Sequence, residues 1–263
     1  MATTRRQRQK LVRALLYLLS AAIVAVAVIV GDWEKIGRNF FNVDVMLQML
    51  PEVFTLAARN TIIYSIASFG FGLIIALMLA LMRMSTIGPF RAFAIGYIEL
   101  FRGLPALVTL ILIAFGIPIA FDFRVPGGRV GAAILGLSIV AGAYMAETIR
   151  GGIEAVPRGQ REAARSLGMS DSKTMFNIIL PQAFRIMIPP LTNEMVLLIK
   201  DTSLFYVIGS TPATRELVKF ARDFMQVNRN ATPLTVIAIV YLLITLPLTY
   251  LVRRMERRVG QGR

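Results

Sequence analysis

The feature that most constrains this chain is a set of apolar runs too long for the core helices of a soluble domain. Six stand out, roughly Leu11–Val30, Thr61–Met82, Ala92–Ile119, Val130–Ile149, Arg185–Ile208 and Leu234–Val252. Runs near or above about 18 residues argue for membrane-spanning helices, because a ~30 Å hydrocarbon layer takes about 20 residues to cross. A backbone in lipid must also satisfy its own hydrogen bonds, which a helix does within one segment. With 56% hydrophobic and 17% charged residues in 263, the expected fold is an all-α polytopic membrane helical bundle with six transmembrane helices.

Charge placement orients the bundle. With both termini in the cytoplasm, the inner segments hold 18 basic residues against four acids, and the outer segments nine against seven. That asymmetry follows the positive-inside rule. The net charge of +14 is therefore read as a topology signal and not as a nucleic-acid footprint. The chain has no cysteine and no histidine, which removes disulfides, thiol nucleophiles, imidazole bases and the commonest zinc ligands. No catalytic residue and no metal site is assigned.

The first span competes with a secretory signal, since basic residues precede it and Ala25–Ala27 reads as a small-residue cleavage site. Its apolar run from Ala14 to Val30 exceeds the ~7 to 15 residues of a signal core, so a retained helix is expected. Two spans carry small residues four apart, Ser68, Gly72, Ala76 and Ala80 in one and Ser138, Gly142 and Ala146 in the other. Such stripes let helices approach closely, and bundle packing is the expected use, with a sliding surface as the alternative.

Between two apolar runs the chain turns polar, from Arg150 to Gln182. Pro157 suits a helix start, Arg158–Leu167 is rich in helix formers, and Gly168 is a natural left-handed cap. Ser170 then caps a second helix that carries Asp171 in its first turn, and Pro181 marks its end or a kink. Spacing puts Ala163, Ala164 and Leu167 on one flat outward face and offers Glu162 to Arg165 as an i,i+3 pair. A loop this long with its own secondary structure is usually functional.

At these residues the sequence resembles the membrane subunits of type I ABC importers. Their E-A-A, three residues, G, nine residues, I-x-L-P pattern is matched by Glu162, Ala163, Ala164, Gly168, Ile178, Leu180 and Pro181. "YIELFRGLPALVTLILIAFGIP" (Tyr97–Pro118), "YMAETIRGGIEAVPRGQREAARSLGMS" (Tyr144–Ser170) and "NEMVLLIKDTSL" (Asn193–Leu204) are similar to the subfamily that imports polar amino acids. The likeness covers about residues 50 to 252, the usual five-helix core, and makes the first helix an addition to it. "FTLAARNTIIYS" lacks the glycine often seen at the start of the first core helix.

The resemblance implies that the loop's first helix docks on a cytoplasmic ATPase. The expected coupling residues are Glu162, Ala163, Ala164, Arg165, Leu167 and Gly168. The chain has no G-x-x-x-x-G-K-[ST] loop, so ATP and magnesium belong to that partner and this chain needs no cofactor and is no enzyme. The implied partners are an ABC ATPase dimer, a second permease subunit, identical or homologous, an extracytoplasmic solute-binding protein, the amino acid and membrane lipid, with no nucleic acid. The implied location is a bacterial inner membrane. The implied organisation is an N-terminal tail, extra helix and linker (1–50), a permease core (51–252) with the coupling loop at 150–182, and a basic tail (253–263).

Four acids fall inside the spans, each costly there. Glu99 with Arg102 and Glu147 with Arg150 are expected to form local pairs. Glu194 and Asp201, seven apart, share one helical face within about 20° and lie about 10 Å apart along the axis. Lys200 points about 120° away from Glu194. Two carboxylates on one face suit a cationic group, and the expected substrate-binding set is Glu194, Leu197 and Asp201. The competing reading makes Asp201 the cap of a helix break and pairs Glu194 with a neighbouring helix. For the whole chain the alternatives are an ion-driven secondary transporter and a non-transporting scaffold.

Overall fold

The computed structural model describes residues 5–260; Arg263 of the basic tail lies outside them. In chain order the helices are α1 (Arg5–Val30), α2 (Trp33–Phe40), α3 (Val43–Met49), α4 (Arg59–Met84), α5 (Gly88–Gly103), α6 (Ala106–Ile111) and α7 (Ile117–Phe121). They continue with α8 (Gly128–Glu154), α9 (Arg158–Ser166), α10 (Asp171–Thr174), α11 (Leu180–Asp201), α12 (Phe205–Ile208), α13 (Leu217–Asn228) and α14 (Thr232–Gly260). Three π-helical stretches, Val53–Ala58, Leu112–Gly116 and Met175–Ile179, lead into α4, α7 and α11. There is no strand among the described residues, as the all-α expectation requires.

The centre of the bundle is the α4–α8 seam, made by the two small-residue stripes. Ser68, Gly72, Ala76 and Ala80 are buried, and so are Ser138, Gly142 and Ala146. A Cβ on Gly142 would meet Ile75 Cγ2 at 2.7 Å, and one on Gly72 would come within 3.2 Å of the Ser138 carbonyl oxygen. Each glycine thus fits against the other helix's backbone or branched side chain, which supplies the dispersion contact that lipid would otherwise provide. α11 packs against this pair and against α14, while α3, α13 and the first half of α14 enclose a second core around Met49, Phe220 and Val240.

One expectation about the spans needs correction. The run Ala92–Ile119 is not one helix: α5 and α6 meet at 106°, across Leu104 and Pro105. Proline lacks the amide donor and pushes the residue before it out of the α region, and Leu104 is extended, with ψ 140°. Four helical segments are long and apolar enough to cross a membrane, Arg8–Val30, Val53–Met84, Gly128–Glu154 and Thr232–Arg258, with the bent α5–α6 pair as a fifth. α11 is not among them, since Arg185, Glu194, Lys200 and Asp201 interrupt its apolar character. It is also not freshly started at Arg185, because it runs on from α10 through the π-helical stretch.

The apolar stretch of α1 is wholly exposed, with Leu15, Leu19, Ile23 and Ile29 among its uncovered side chains. The chain folds its core without this helix.

Candidate functional site

The polar loop and a cavity in the middle of the bundle are joined by the same two helices. α8 leads into the loop, α11 leads out of it, and facing residues of both line the cavity. About 13 residues of α11 separate Pro181 from Glu194, roughly 20 Å along the axis.

The loop is built by backbone chemistry. Pro157, with φ −54° and ψ 132°, is the residue just before α9. At the other end the Gly168 amide donates to the Arg165 carbonyl at 3.0 Å and the Met169 amide to the Ala164 carbonyl at 3.1 Å. This is the paired 5→2 and 6→1 pattern of a Schellman cap, and it requires a left-handed residue, here Gly168 at φ +81°. Nothing lies within 4 Å of a Cβ added there, so backbone conformation and not space selects glycine. Ser170 then accepts from the Lys173 amide at 3.4 Å, capping α10 as expected.

Two side-chain expectations for the loop are not met. Arg165 does not pair with Glu162; its Nη1 donates to the Met169 carbonyl at 2.8 Å and its Nε lies 3.5 Å from Asp171. The tight cap folds the chain back within reach of the guanidinium, and a backbone carbonyl beside it outcompetes an exposed i,i+3 carboxylate. Ala164 does not face outward: it is buried where α9 packs on Met175–Ile179. The outward face is Glu162, Ala163 and Leu167, with Leu167 84% exposed on a polar segment.

The cavity, about 270 Å³, is lined by Leu104 and Ala106 at the α5–α6 break, Val140 and Tyr144 of α8, and Glu194, Leu197 and Asp201 of α11, with Leu137, Ala141 and Leu198 completing the wall. The three residues expected from spacing and resemblance thus border one space. Neither carboxylate forms an ion pair among the described residues. Asp201 makes no capping hydrogen bond to the turn that follows, so the helix-cap reading has no contact to rest on. Lys200 is exposed on another face.

The other two acids differ. Glu147 is clamped between Arg83, at 3.0 Å, and Arg150, at 2.8 Å, which ties the ends of α4 and α8 nearest the loop. The expected Glu99–Arg102 pair is absent: Glu99 is exposed, and the Arg102 guanidinium sits 5.5 Å from the centroid of the Tyr144 ring. Tyr144, whose hydroxyl donates to the Arg102 carbonyl at 3.4 Å, is a cavity residue that sequence reasoning missed. Its signal was a polar-tipped aromatic four residues beyond Val140 on a helix otherwise made of small and aliphatic residues.

Residues 68–261 match a family described as binding-protein-dependent transport system inner membrane component. The chain is 38% identical over 206 residues to the glutamine transport system permease protein of Escherichia coli strain K12, covering 77% of this chain and 90% of that one. It is 40% identical over 222 residues to the L-cystine transport system permease protein of Bacillus subtilis strain 168, covering 83% and 91%. A crystal structure of an amino acid ABC transporter with histidines superposes with a TM-score of 0.74 at 36% identity, over 81% of this chain and 96% of that one.

Proposed function

We propose, from the premise that the chain belongs to the binding-protein-dependent transport system inner membrane component family, that it carries polar or cationic amino acids and is driven by a separate ATPase docked on its polar loop. The observation that carries this reading is the shared α8–α11 framework: one helix pair holds the carboxylate cavity and, at its end, an exposed loop with a fixed geometry. Force applied at the loop therefore moves both cavity walls, since packed helices transmit displacement with little loss.

In the proposed assembly two permease subunits, identical or homologous, sit over two ATPase subunits that bind ATP and magnesium. A solute-binding protein delivers the amino acid to the opposite face. Glu162, Ala163 and Leu167 form the docking face, the alanine allowing close approach and the leucine entering an apolar recess of the partner. Arg165, Gly168 and buried Ala164 hold that face in position. In the cavity Glu194 and Asp201 receive the ammonium or side-chain cation, and Leu197 and Tyr144 pack against the carbon chain. Similarity to glutamine and cystine permeases and to a solved amino acid transporter supports an amino-acid substrate.

Reconstitution tests the reading. Vesicles holding the complete complex and loaded with ATP are expected to accumulate labelled amino acid only when binding protein is present. Accumulation driven by a proton or sodium gradient with no ATPase would make the chain a secondary transporter, and an intact complex without flux would make it a scaffold. Orientation has its own check in the native absence of cysteine. Ser170→Cys should resist membrane-impermeant thiol reagents added outside intact cells, whereas exposed Ala213→Cys should react.

A further inference from the structure

A second cavity lies between α8 and the segment that runs from α6 to α7, both of which continue from the first, farther from the coupling loop. It measures about 320 Å³, and its lining includes Ile113, Ala114, Pro118, Arg124, Arg129 and Ala132. On α8, Arg129 precedes Val140 of the acidic cavity by eleven residues, roughly 16 Å. On the opposite wall Ala106 faces the acidic cavity, and Ile113 and Ala114 face this one. Between them Leu110 seals the two walls: fully buried, it lies so close to Gly136 that a Cβ there would meet its Cδ1 at 3.1 Å and its Cα at 3.2 Å. The π-helical stretch Leu112–Gly116 begins two residues beyond Leu110, a local irregularity in the wall that would have to move.

The two cavities have opposite chemistry. The inner one has two carboxylates and the outer one two arginines, neither of which forms an ion pair among the described residues. Both arginines are exposed, and the Arg129 Nη1 lies 2.8 Å from where a Cβ on Gly209 would stand, which places the end of its side chain over that backbone. On the proposed orientation these arginines lie on the extracytoplasmic side, where the positive-inside rule gives no reason for them.

We propose that the Arg124–Arg129 cavity is an anion site that receives the α-carboxylate of the incoming amino acid, with Leu110 on Gly136 as the barrier between it and the Glu194–Asp201 cavity. This rests on the amino-acid reading above. A guanidinium fork matches a carboxylate in plane and in charge, and two of them repel the substrate's cationic end toward the acidic cavity beyond. A zwitterion would then enter with its orientation already set, before the barrier opens. An acidic side chain of the solute-binding protein has the same carboxylate chemistry and is the occupant the experiment must separate.

The experiment measures initial uptake of labelled arginine or glutamine into vesicles holding the complete importer and ATP, against increasing concentrations of loaded binding protein. For Arg124→Gln with Arg129→Gln, maximal uptake is expected to fall tenfold or more. The binding-protein concentration at half-maximal uptake should stay unchanged, and ATP hydrolysis stimulated by loaded binding protein should stay within twofold. If this pair fails to assemble, Arg124→Lys with Arg129→Lys keeps both charges and loses the forks, and a threefold or greater fall in maximal uptake alone is expected. A higher half-saturating concentration with unchanged maximal uptake would mean that the arginines hold the binding protein, and overturns the proposal. So does uptake unchanged in both respects. An unmodified importer that carries no amino acid at all fails earlier and sinks the amino-acid reading itself.

Discussion

The polar loop and the acidic cavity are joined by α8 and α11, yet they are made by opposite means. The loop owes its shape to main-chain chemistry: a left-handed Gly168, two capping hydrogen bonds and a serine cap, with almost every side chain exposed. The cavity owes its character to side-chain charge: two half-buried carboxylates that form no ion pair among the described residues, set among aliphatic residues and one tyrosine. The loop should therefore be sensitive to changes in backbone freedom and tolerant of charge changes, and the cavity should show the reverse.

Glu194→Gln gives the largest effect that this contrast predicts. It keeps shape and deletes charge where a cationic substrate would be left unpaired, a loss of roughly 3 to 5 kcal/mol by analogy with broken buried pairs. Uptake of arginine should fall about a hundredfold or more, and uptake of glutamine far less, with assembly intact. Equal losses for both amino acids would show that the charge is structural. Asp201→Asn follows in the same direction with a smaller loss, on the order of tenfold. Because Asp201 makes no capping bond, thermal stability of the purified complex should hold; a marked drop would restore the cap reading.

Gly168→Val attacks the loop through its backbone. A β-branched residue at φ +81° costs on the order of 1 to 2 kcal/mol and favours a redirected chain. Uptake should fall about tenfold while the protein remains in the membrane and ATP hydrolysis becomes independent of loaded binding protein. Normal uptake with normal ATPase binding would remove the geometric argument. Ser170→Ala is the mildest change: a cap is worth about 1 kcal/mol, and this one is long at 3.4 Å. A loss of uptake greater than about threefold would mean that Ser170 contacts the partner directly.

What could be read in the sequence follows the same division. Gly168 and Ser170 were legible because a cap is decided by a few neighbouring residues, and the stripes through Gly72 and Gly142 were legible because spacing alone sets a helix face. Glu194 and Asp201 were legible for the same reason. Ala164 was not, since its burial depends on Met175–Ile179 folding back against α9. The break at Pro105 was hidden inside the apolar run Ala92–Ile119, although 28 residues is more than one crossing needs and proline was there to end the helix. Arg102 and Glu99 had the right spacing, but Tyr144 on a different helix offered the guanidinium a better position.

The central claim is that the exposed face of α9 docks on a nucleotide-binding subunit. The most direct measurement compares two neighbouring residues that the fold points in opposite directions, Ala163 exposed and Ala164 buried. Ala163→Cys and Ala164→Cys are each labelled in native membranes with a short photoactivatable thiol reagent, and the cross-linked protein is identified by mass spectrometry. The account predicts an ATPase subunit captured from position 163 in high yield and little or nothing from position 164. ATP-dependent uptake that continues with no ATPase cross-link at position 163, or equal capture from both positions, would contradict it.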